Sequence, residues 1–122
     1  MEPREIGESL VELCRQGKNL EAIDKFYSPD IVSVEAQAAP GMPAEMKGID
    51  AIRGKNKWWI ENHEIHSAEA KGPYVLDDRF SVVYNFDVTS KAGPQEGNRM
   101  QMEEVAVYTV KDGKIAREEF MY

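Results

Sequence analysis

Both histidines and both tryptophans of the chain fall in one ten-residue stretch, KWWIENHEIH, from Lys57 to His66. The spacing His63-x-x-His66 could bring two imidazoles together on a helix as metal ligands. The chain has no further histidine, and the zinc-protease motif H-E-x-x-H is absent, so carboxylates would have to supply every remaining ligand. We therefore predict no metal site, and we expect His63 to be a hydrogen-bonded histidine of the core or of a pocket, with His66 at the start of a strand.

Glu104 is a second residue that could do chemistry, because it alternates with apolar residues. Its face of a predicted strand otherwise carries Met100, Met102, Ala106, Tyr108 and Val110. If that face lines a pocket, Glu104 must be neutral, paired or hydrogen-bonded, and its neutral form could donate to an oxyanion. A bulge at Glu103 and Glu104 would exchange the two faces and leave Glu104 in solvent. The sequence leaves both registers open.

Tyr84 and Tyr108 could donate hydrogen bonds to a ligand through their phenolic hydroxyls. Tyrosines on alternating strands are also common core residues whose hydroxyls reach an edge. We predict both tyrosines, together with Met102, as ligand-binding residues.

The composition limits the classes of function. At 122 residues with 42% hydrophobic content, the chain predicts one domain over residues 1–122, with a core that needs no disulfide. Its 22 acidic and 15 basic residues give a formal net charge of −7, which opposes binding to nucleic acid or to an anionic membrane. The single cysteine, Cys14, is expected to be a small buried hydrophobe in a cytoplasmic protein. We see no signal peptide, no membrane-spanning stretch and no nucleotide-binding glycine loop, and we predict no cofactor.

Hydrophobic spacing places helices and one strand in the first part of the chain. The pattern predicts a helix over Glu5–Arg15 and a second helix, capped by Asn19, that must finish by Ser28 because a proline follows. A strand is predicted from Asp30 to Ala36. The segment from Gln37 to Lys47 is predicted to be an apolar loop that could cover a pocket as a lid.

A third helix is predicted from Ile49 to His63. At 100° per residue, one side collects Ile49, Ile52, Asn56, Trp59, Ile60 and His63, while Trp58 points almost directly away from it. Asn56 and His63 need hydrogen-bond partners on a buried side. We therefore predict that Asn56, Trp59 and His63 line a pocket.

Beyond this helix the hydrophobic period falls from about 3.6 to 2 residues. One face of a strand carries Phe80, Val82, Tyr84, Phe86 and Val88. The turn-rich SKAGPQEGN leads to the strand of Glu104, and KDG at Lys111 to Gly113 leads to a last strand, KIAREEFMY. Helices followed by an antiparallel meander predict an α+β domain.

Two passages, YSPDIVSVEA and VYTVKDGKIAREEFMY, resemble the SnoaL-like branch of the nuclear transport factor 2-like superfamily, which includes ketosteroid isomerase. The resemblance covers nearly the whole chain. It implies a cone in which about three N-terminal helices pack in a strongly curved mixed or antiparallel sheet that encloses a pocket. It also implies a homodimer through the outer sheet face, which is consistent with Trp58 and Val83 lying off the inward faces.

In isomerase-like relatives an acidic residue near the end of the first strand abstracts a proton next to a carbonyl, and the resemblance assigns that position to Glu35. A glutamate there could instead face solvent or pair with a lysine such as Lys47. The first helix carries Cys14 and no tyrosine, so the phenolic oxyanion donor of the isomerase is missing and we do not predict steroid isomerisation.

Because this superfamily contains several kinds of enzyme and proteins without chemistry, the fold does not select a function. Two hypotheses follow. The first is a cofactor-independent isomerase, cyclase or dehydratase that acts on a hydrophobic carbonyl compound through Glu35, His63 and Glu104. The second is a non-catalytic module of the same fold that binds a small apolar ligand or a protein partner.

Overall fold

The computed structural model describes residues 2–38 and 41–122. This part of the chain forms three α-helices and six strands. They are α1 Pro3–Arg15, α2 Asn19–Phe26, β1 Tyr27–Val34, β2 Glu45–Lys47, α3 Ile49–Glu61, β3 His63–Leu76, β4 Arg79–Ser90, β5 Arg99–Lys111 and β6 Lys114–Met121. A short 3₁₀ turn, Gly93–Gln95, lies in the connection between β4 and β5.

The strands form one sheet in the order β2-β1-β6-β5-β4-β3. β1 and β6 are parallel, and all other neighbours are antiparallel. α1 packs on β3 and β4, while α3 packs on β1, β2 and β3. The curved mixed sheet with three helices on its inner side confirms the predicted α+β class.

The core lies between the helices and the inner face of the sheet. Its fully buried side chains include Ile6, Phe26, Ile31, Ile52, Phe80, Val82 and Ile115. The helices contribute residues at helical spacing and the strands contribute every second residue, as burial of one face requires.

The first two helices differ from the prediction at their ends. α1 begins at Pro3, because Glu2 and Glu5 form a reciprocal capping box and a proline suits the first helical position. Asn19 lies inside α2, which follows Lys18 as its N-cap. β1 begins directly at Tyr27 and ends at Val34, so the predicted strand was placed too late.

The segment predicted as a loop and the end of the third helix also differ. β2 lies within the predicted loop and pairs with β1, whereas Ala39 and Pro40 of that loop lie outside the described residues. α3 ends at Glu61, and His63 is the first residue of β3 instead of the last residue of a helix. The helical spacing of His63 from Trp59 was coincidental, and His66 lies inside β3 instead of beginning a strand.

The register of β4 and β5 is continuous from the pair Arg79 and Thr109 to the pair Thr89 and Arg99. No bulge interrupts this ladder, so Glu104 lies opposite Tyr84 on the inner face. Asp112 and Gly113, with φ angles of 53° and 75°, form the tight turn between β5 and β6. The first of the two registers that the sequence left open is therefore the one that forms.

α1 packs closely against the sheet at Gly7. A Cβ atom on Gly7 would lie 2.6 Å from Pro73 Cβ and 3.1 Å from Phe80 Cδ2. We expect Gly7→Ala to lower the free energy of unfolding by about 1–3 kcal/mol, because α1 would have to move away from the sheet. Urea denaturation measures the change.

Gly54→Ala in α3 is the matched control, because a Cβ there meets no atom within 4 Å. Its expected effect is a gain of up to about 1 kcal/mol from helix propensity. A Gly7→Ala protein as stable as the unsubstituted chain would contradict the close packing of α1.

Candidate functional site

A cavity of about 440 Å³ lies between the helices and the inner sheet face. This volume is within the range of pockets that hold drug-sized ligands. Much of its wall is apolar or aromatic and includes Leu10, Ile23, Met46, Trp59, Phe86, Met102 and Phe120. Its polar side chains come from several elements, and the charged ones in the described part of the chain are Lys55 on α3 and four glutamates, Glu35, Glu69, Glu104 and Glu118.

Lys55 of α3 crosses to β1, where its ammonium group is held by two oxygens. Nζ donates to Oε1 of Glu35 at 2.7 Å and to Oγ of Ser33 at 2.8 Å. The Lys55 and Glu35 side chains are 13% and 24% exposed, so this ion pair is only weakly screened by water. Glu35 therefore does pair with a lysine, which was one of the alternatives that the sequence left open. The partner is Lys55 and not Lys47, whose ammonium group lies 3.9 Å from Oε1 of Glu45.

Glu118 of β6 is a buried carboxyl that our sequence analysis did not identify. It is 1% exposed and accepts hydrogen bonds from the hydroxyls of Tyr27 and Ser33, the latter at 2.8 Å. Burial raises the pKa of Glu118, and the Lys55 ammonium opposes that rise. Burial also raises the pKa of Tyr27 well above its ordinary value, which keeps this phenol protonated as a donor.

The sequence contains no clear signal for Glu118. Tyr108 and Glu118 are direct partners across β5 and β6 only because the register shifts between Thr109 and Val110. Without that shift, the tight turn would place Arg117 opposite Tyr108, and the charged run Arg117 to Glu119 is typical of a solvent-facing edge. Lys55 and Ser33 also carried no signal, because their partners lie far away in the chain.

Glu104 faces the cavity without an ion pair of its own. The pKa of Glu104 is raised from 4.5 to about 7, chiefly by burial and also by the carboxylate of Glu35, while the Lys55 ammonium acts to lower it. Within residues 2–38 and 41–122, no side chain donates a hydrogen bond to this carboxyl. Glu104 can therefore both accept and release a proton near neutral pH.

The two tyrosines predicted as ligand-binding residues lie at the cavity and bond to each other. The hydroxyl oxygens of Tyr84 and Tyr108 are 2.7 Å apart, and Cys14 Sγ lies 3.9 Å from the Tyr84 hydroxyl. Burial raises the pKa of both tyrosines well above the ordinary value. It also raises the pKa of the Cys14 thiol to about 11, so this half-buried thiol stays protonated at neutral pH.

A row of rings forms one wall of the cavity. The ring centroids of Trp59 and Phe86 are 6.1 Å apart, and those of Phe86 and Tyr84 are 5.8 Å apart with nearly parallel planes. Asn56 also lines the cavity, but its amide donates to the Ile52 carbonyl oxygen of its own helix at 2.9 Å. Trp58 was predicted to point away from this side of α3, but it also lines the cavity and is 45% exposed.

His63 lies behind this wall and is not one of the residues that line the cavity. Its ring stacks on Trp59 with centroids 3.8 Å apart, and Nδ1 is 2.9 Å from the Trp59 carbonyl oxygen. The structure thus brings Glu35 and Glu104 to one cavity and does not bring His63 there.

The second histidine, His66, lies away from the cavity. Nε2 of His66 lies 2.7 Å from the hydroxyl oxygen of Thr89 on the exposed side of the sheet. Among the residues described, no three histidine, cysteine or acidic side chains form a group that could hold a metal ion. None of the helices in this part of the chain has the length and apolarity that crossing a bilayer requires.

The family model of the SnoaL-like domain matches residues 1–122, and the chain belongs to that family. A solved Mesorhizobium loti protein, described as a candidate SnoaL-like polyketide cyclase, is 45% identical over 100% of both chains with a TM-score of 0.91. The resemblance identified from the sequence is confirmed.

More distant solved structures show the same fold. A nuclear transport factor 2-like protein of Burkholderia thailandensis is 17% identical over 99% of this chain and 90% of its own, with a TM-score of 0.80. A candidate SnoaL-like polyketide cyclase of Jannaschia is 15% identical over 93% of this chain and 82% of its own, with a TM-score of 0.73. No curated protein matches the chain.

The environment of Glu104 predicts how stability depends on pH. Its pKa is about 7 in the folded protein against an ordinary value of 4.5, so the folded state binds the proton more tightly than the unfolded state does. The resulting stabilisation is complete below pH 4.5 and is lost as the pH rises through 7. Relative to Glu104→Gln, which cannot titrate, we expect the protein to lose on the order of 3 kcal/mol between pH 4 and about 8.

Urea denaturation across this pH range measures the difference. Glu103→Gln is the control, because Glu103 is the exposed neighbour on the same strand, and we expect its curve to run parallel to that of the unsubstituted chain. A constant offset between the Glu104→Gln curve and that of the unsubstituted chain would show that Glu104 has an ordinary carboxyl environment.

Proposed function

We propose that this protein is a cofactor-independent enzyme of the isomerase, cyclase or dehydratase type, in which Glu104 exchanges a proton with a small hydrophobic carbonyl compound. The observation that carries the proposal is the Glu104 carboxyl itself. It faces a largely apolar cavity, lacks an ion pair of its own, and has a pKa raised to about 7, chiefly by burial. Burying a carboxyl in this way is costly, and such groups are concentrated at active sites.

The chemistry needs both protonation states of Glu104. As a carboxylate, Glu104 takes the proton from the carbon next to the carbonyl; the C–H bond breaks, and its electron pair moves to the carbonyl oxygen as an enolate. As a carboxylic acid, Glu104 returns the proton to the same or another atom of the substrate. A pKa near the working pH makes both steps accessible to one residue.

Glu35, the base candidate from the sequence, has a different part in this proposal. Its carboxylate oxygen accepts a hydrogen bond from Lys55 at 2.7 Å, so a substrate proton could reach this oxygen only in competition with the ammonium group. We assign to Glu35 the task of holding Lys55 and balancing its charge. The aromatic wall of Trp59, Phe86 and Tyr84, together with Asn56, Met102 and Tyr108, would contact the body of the substrate.

The second hypothesis is a binding module without chemistry. It is favoured by the mutual hydrogen bond of the Tyr84 and Tyr108 hydroxyls, which satisfies both groups without a ligand. For this module, Trp59→Ala would weaken ligand binding, and changing Glu104 would alter no reaction.

The homodimer and the cytoplasmic location stay predictions. Native mass spectrometry would contradict the homodimer by finding only single chains.

Proton abstraction can be tested before the natural substrate is known. A panel of hydrophobic ketones and β-keto esters is incubated with the protein in D₂O, and NMR follows deuterium entering the position next to the carbonyl. We expect catalysed exchange whose rate rises with pH through about 7 and then levels, because the base form of Glu104 is required. Glu104→Gln is expected to slow exchange by about 10²–10⁴-fold.

Glu103→Gln again serves as the matched control and should exchange at the unsubstituted rate. Exchange that persists in Glu104→Gln would remove this residue from the reaction. Loss of exchange in Glu35→Gln alone, with Glu104→Gln active, would transfer the role of base to Glu35. Absence of exchange over the whole panel, with ligands bound, would favour the binding module.

A further inference from the structure

We infer that Lys55 receives the carbonyl oxygen of the substrate, and that the polar end of the substrate is therefore an uncharged carbonyl such as a ketone or ester, not a carboxylate or phosphate. The inference rests on the proposed function, since it concerns the same cavity. It adds a catalytic residue that our sequence analysis did not identify and a charge class for the substrate.

The hydrogen bonds of Lys55 leave room for a ligand. An ammonium group has three N–H donors, and two of them are used by Ser33 and Glu35. The next acceptor, Oε1 of Glu118, is 3.9 Å away, beyond hydrogen-bond distance. Because Lys55 lines the cavity, its third N–H can be accepted by a ligand oxygen.

The ammonium group is also held in place before a ligand enters. The single hydrogen of the Ser33 hydroxyl is donated to Glu118 at 2.8 Å, so the same oxygen can only accept from Lys55. The Phe120 ring lies against the ammonium, with its centroid 4.9 Å from Nζ. A donor fixed in this way needs no rearrangement when negative charge develops on the carbonyl oxygen, which is the condition for electrostatic catalysis.

The charges around the cavity decide which ligands can enter. Among the lining residues that the structure describes, Lys55 is the one cation, against the carboxyls of Glu35, Glu69, Glu104 and Glu118. Glu69 is exposed, whereas the other three surround the inner cavity. An anionic ligand would add a negative charge beside them, and like charges brought together at a binding site are strongly unfavourable.

An uncharged carbonyl compound avoids this penalty throughout the reaction. When Glu104 takes its proton, the carboxylate becomes neutral while the carbonyl oxygen becomes negative. The total charge of the cavity is unchanged, and the new charge lies beside the Lys55 ammonium. The carboxyls therefore disfavour binding of an anionic substrate, but they do not disfavour formation of the enolate from a neutral one.

The charge class is tested with shape-matched pairs of ligands, such as 2-acetylnaphthalene with 2-naphthoate, titrated calorimetrically at pH 8. We expect the ketone of each pair to bind at least about 10-fold more tightly than the carboxylate. The preference should shrink in Glu104→Gln, which removes one negative charge, and persist in Glu103→Gln. Equal or tighter binding of the carboxylates, or no ketone binding at millimolar concentration, would overturn the inference.

The contact with Lys55 is tested by infrared spectroscopy of a bound ketone labelled with ¹³C at its carbonyl. A hydrogen bond from an ammonium group lowers the carbonyl stretching frequency, so we expect a higher frequency in Lys55→Met and no change in Lys57→Met, an exposed neighbour. Lys55→Met leaves Glu35 without its cation and could unfold the protein. The double variant Glu35→Gln/Lys55→Gln replaces the ion pair by two amides and should also raise the frequency.

The two proposals fail in different ways. A carbonyl frequency that depends on Lys55, without deuterium exchange, would leave the oxygen site standing and contradict the proposed enzyme. Exchange that requires Glu104, with a carbonyl frequency unaffected by either Lys55 variant, would overturn the role of Lys55 alone.

Discussion

The site depends on the parallel pairing of β1 with β6. This register makes Ser33 and Glu118 direct partners, although 85 positions separate them in the chain. The Ser33 hydroxyl then joins the buried carboxyl of Glu118 to the ammonium of Lys55, and Lys55 in turn holds Glu35. Removing one of these side chains would leave a buried charge without its partner, which is strongly destabilising. Each member of the network therefore depends on the others for its position.

The cavity contains a buried carboxyl, Glu118, and a partly buried one, Glu104, with opposite surroundings. Glu118 accepts hydrogen bonds from Tyr27 and Ser33, so its oxygens have donors that are fixed by the fold. Glu104 lies on the same sheet, on the neighbouring strand, beside apolar groups. Burial acts on both pKa values, but Glu104 is the carboxyl that a ligand can contact without breaking an internal bond. The fold therefore separates a structural carboxyl from a reactive one.

The sequence predicted the features that depend on local pattern. The alternation of β4 and β5 placed Phe80, Tyr84 and Tyr108 inside. For Glu104 the sequence left two registers open, and the uninterrupted ladder shows that the inward one forms. Prediction from the sequence failed where a pattern had two interpretations. His63 matched the period of α3 but belongs to β3, because a single polar residue at a helix end fits either element.

The Lys55 network could not be predicted in the same way. Lys55 lies 20 residues from Glu35 and 22 from Ser33, and which lysine meets which carboxyl is set by how α3 crosses β1. Lys47 was a reasonable partner from its place in the chain, yet it lies on the exposed edge strand β2. Such contacts follow from strand order and helix packing, which hydrophobic periodicity does not determine.

The central claim is that Glu104 exchanges its proton near neutral pH inside the cavity. ¹³C NMR of protein labelled at the glutamate carboxyl carbons, with the Glu104 signal assigned by its absence from Glu104→Gln, tests this claim most directly. We expect the Glu104 signal to titrate with a midpoint near pH 7, well separated from the exposed glutamates. A midpoint close to 4.5 would show an ordinary, solvated carboxyl and would contradict the account.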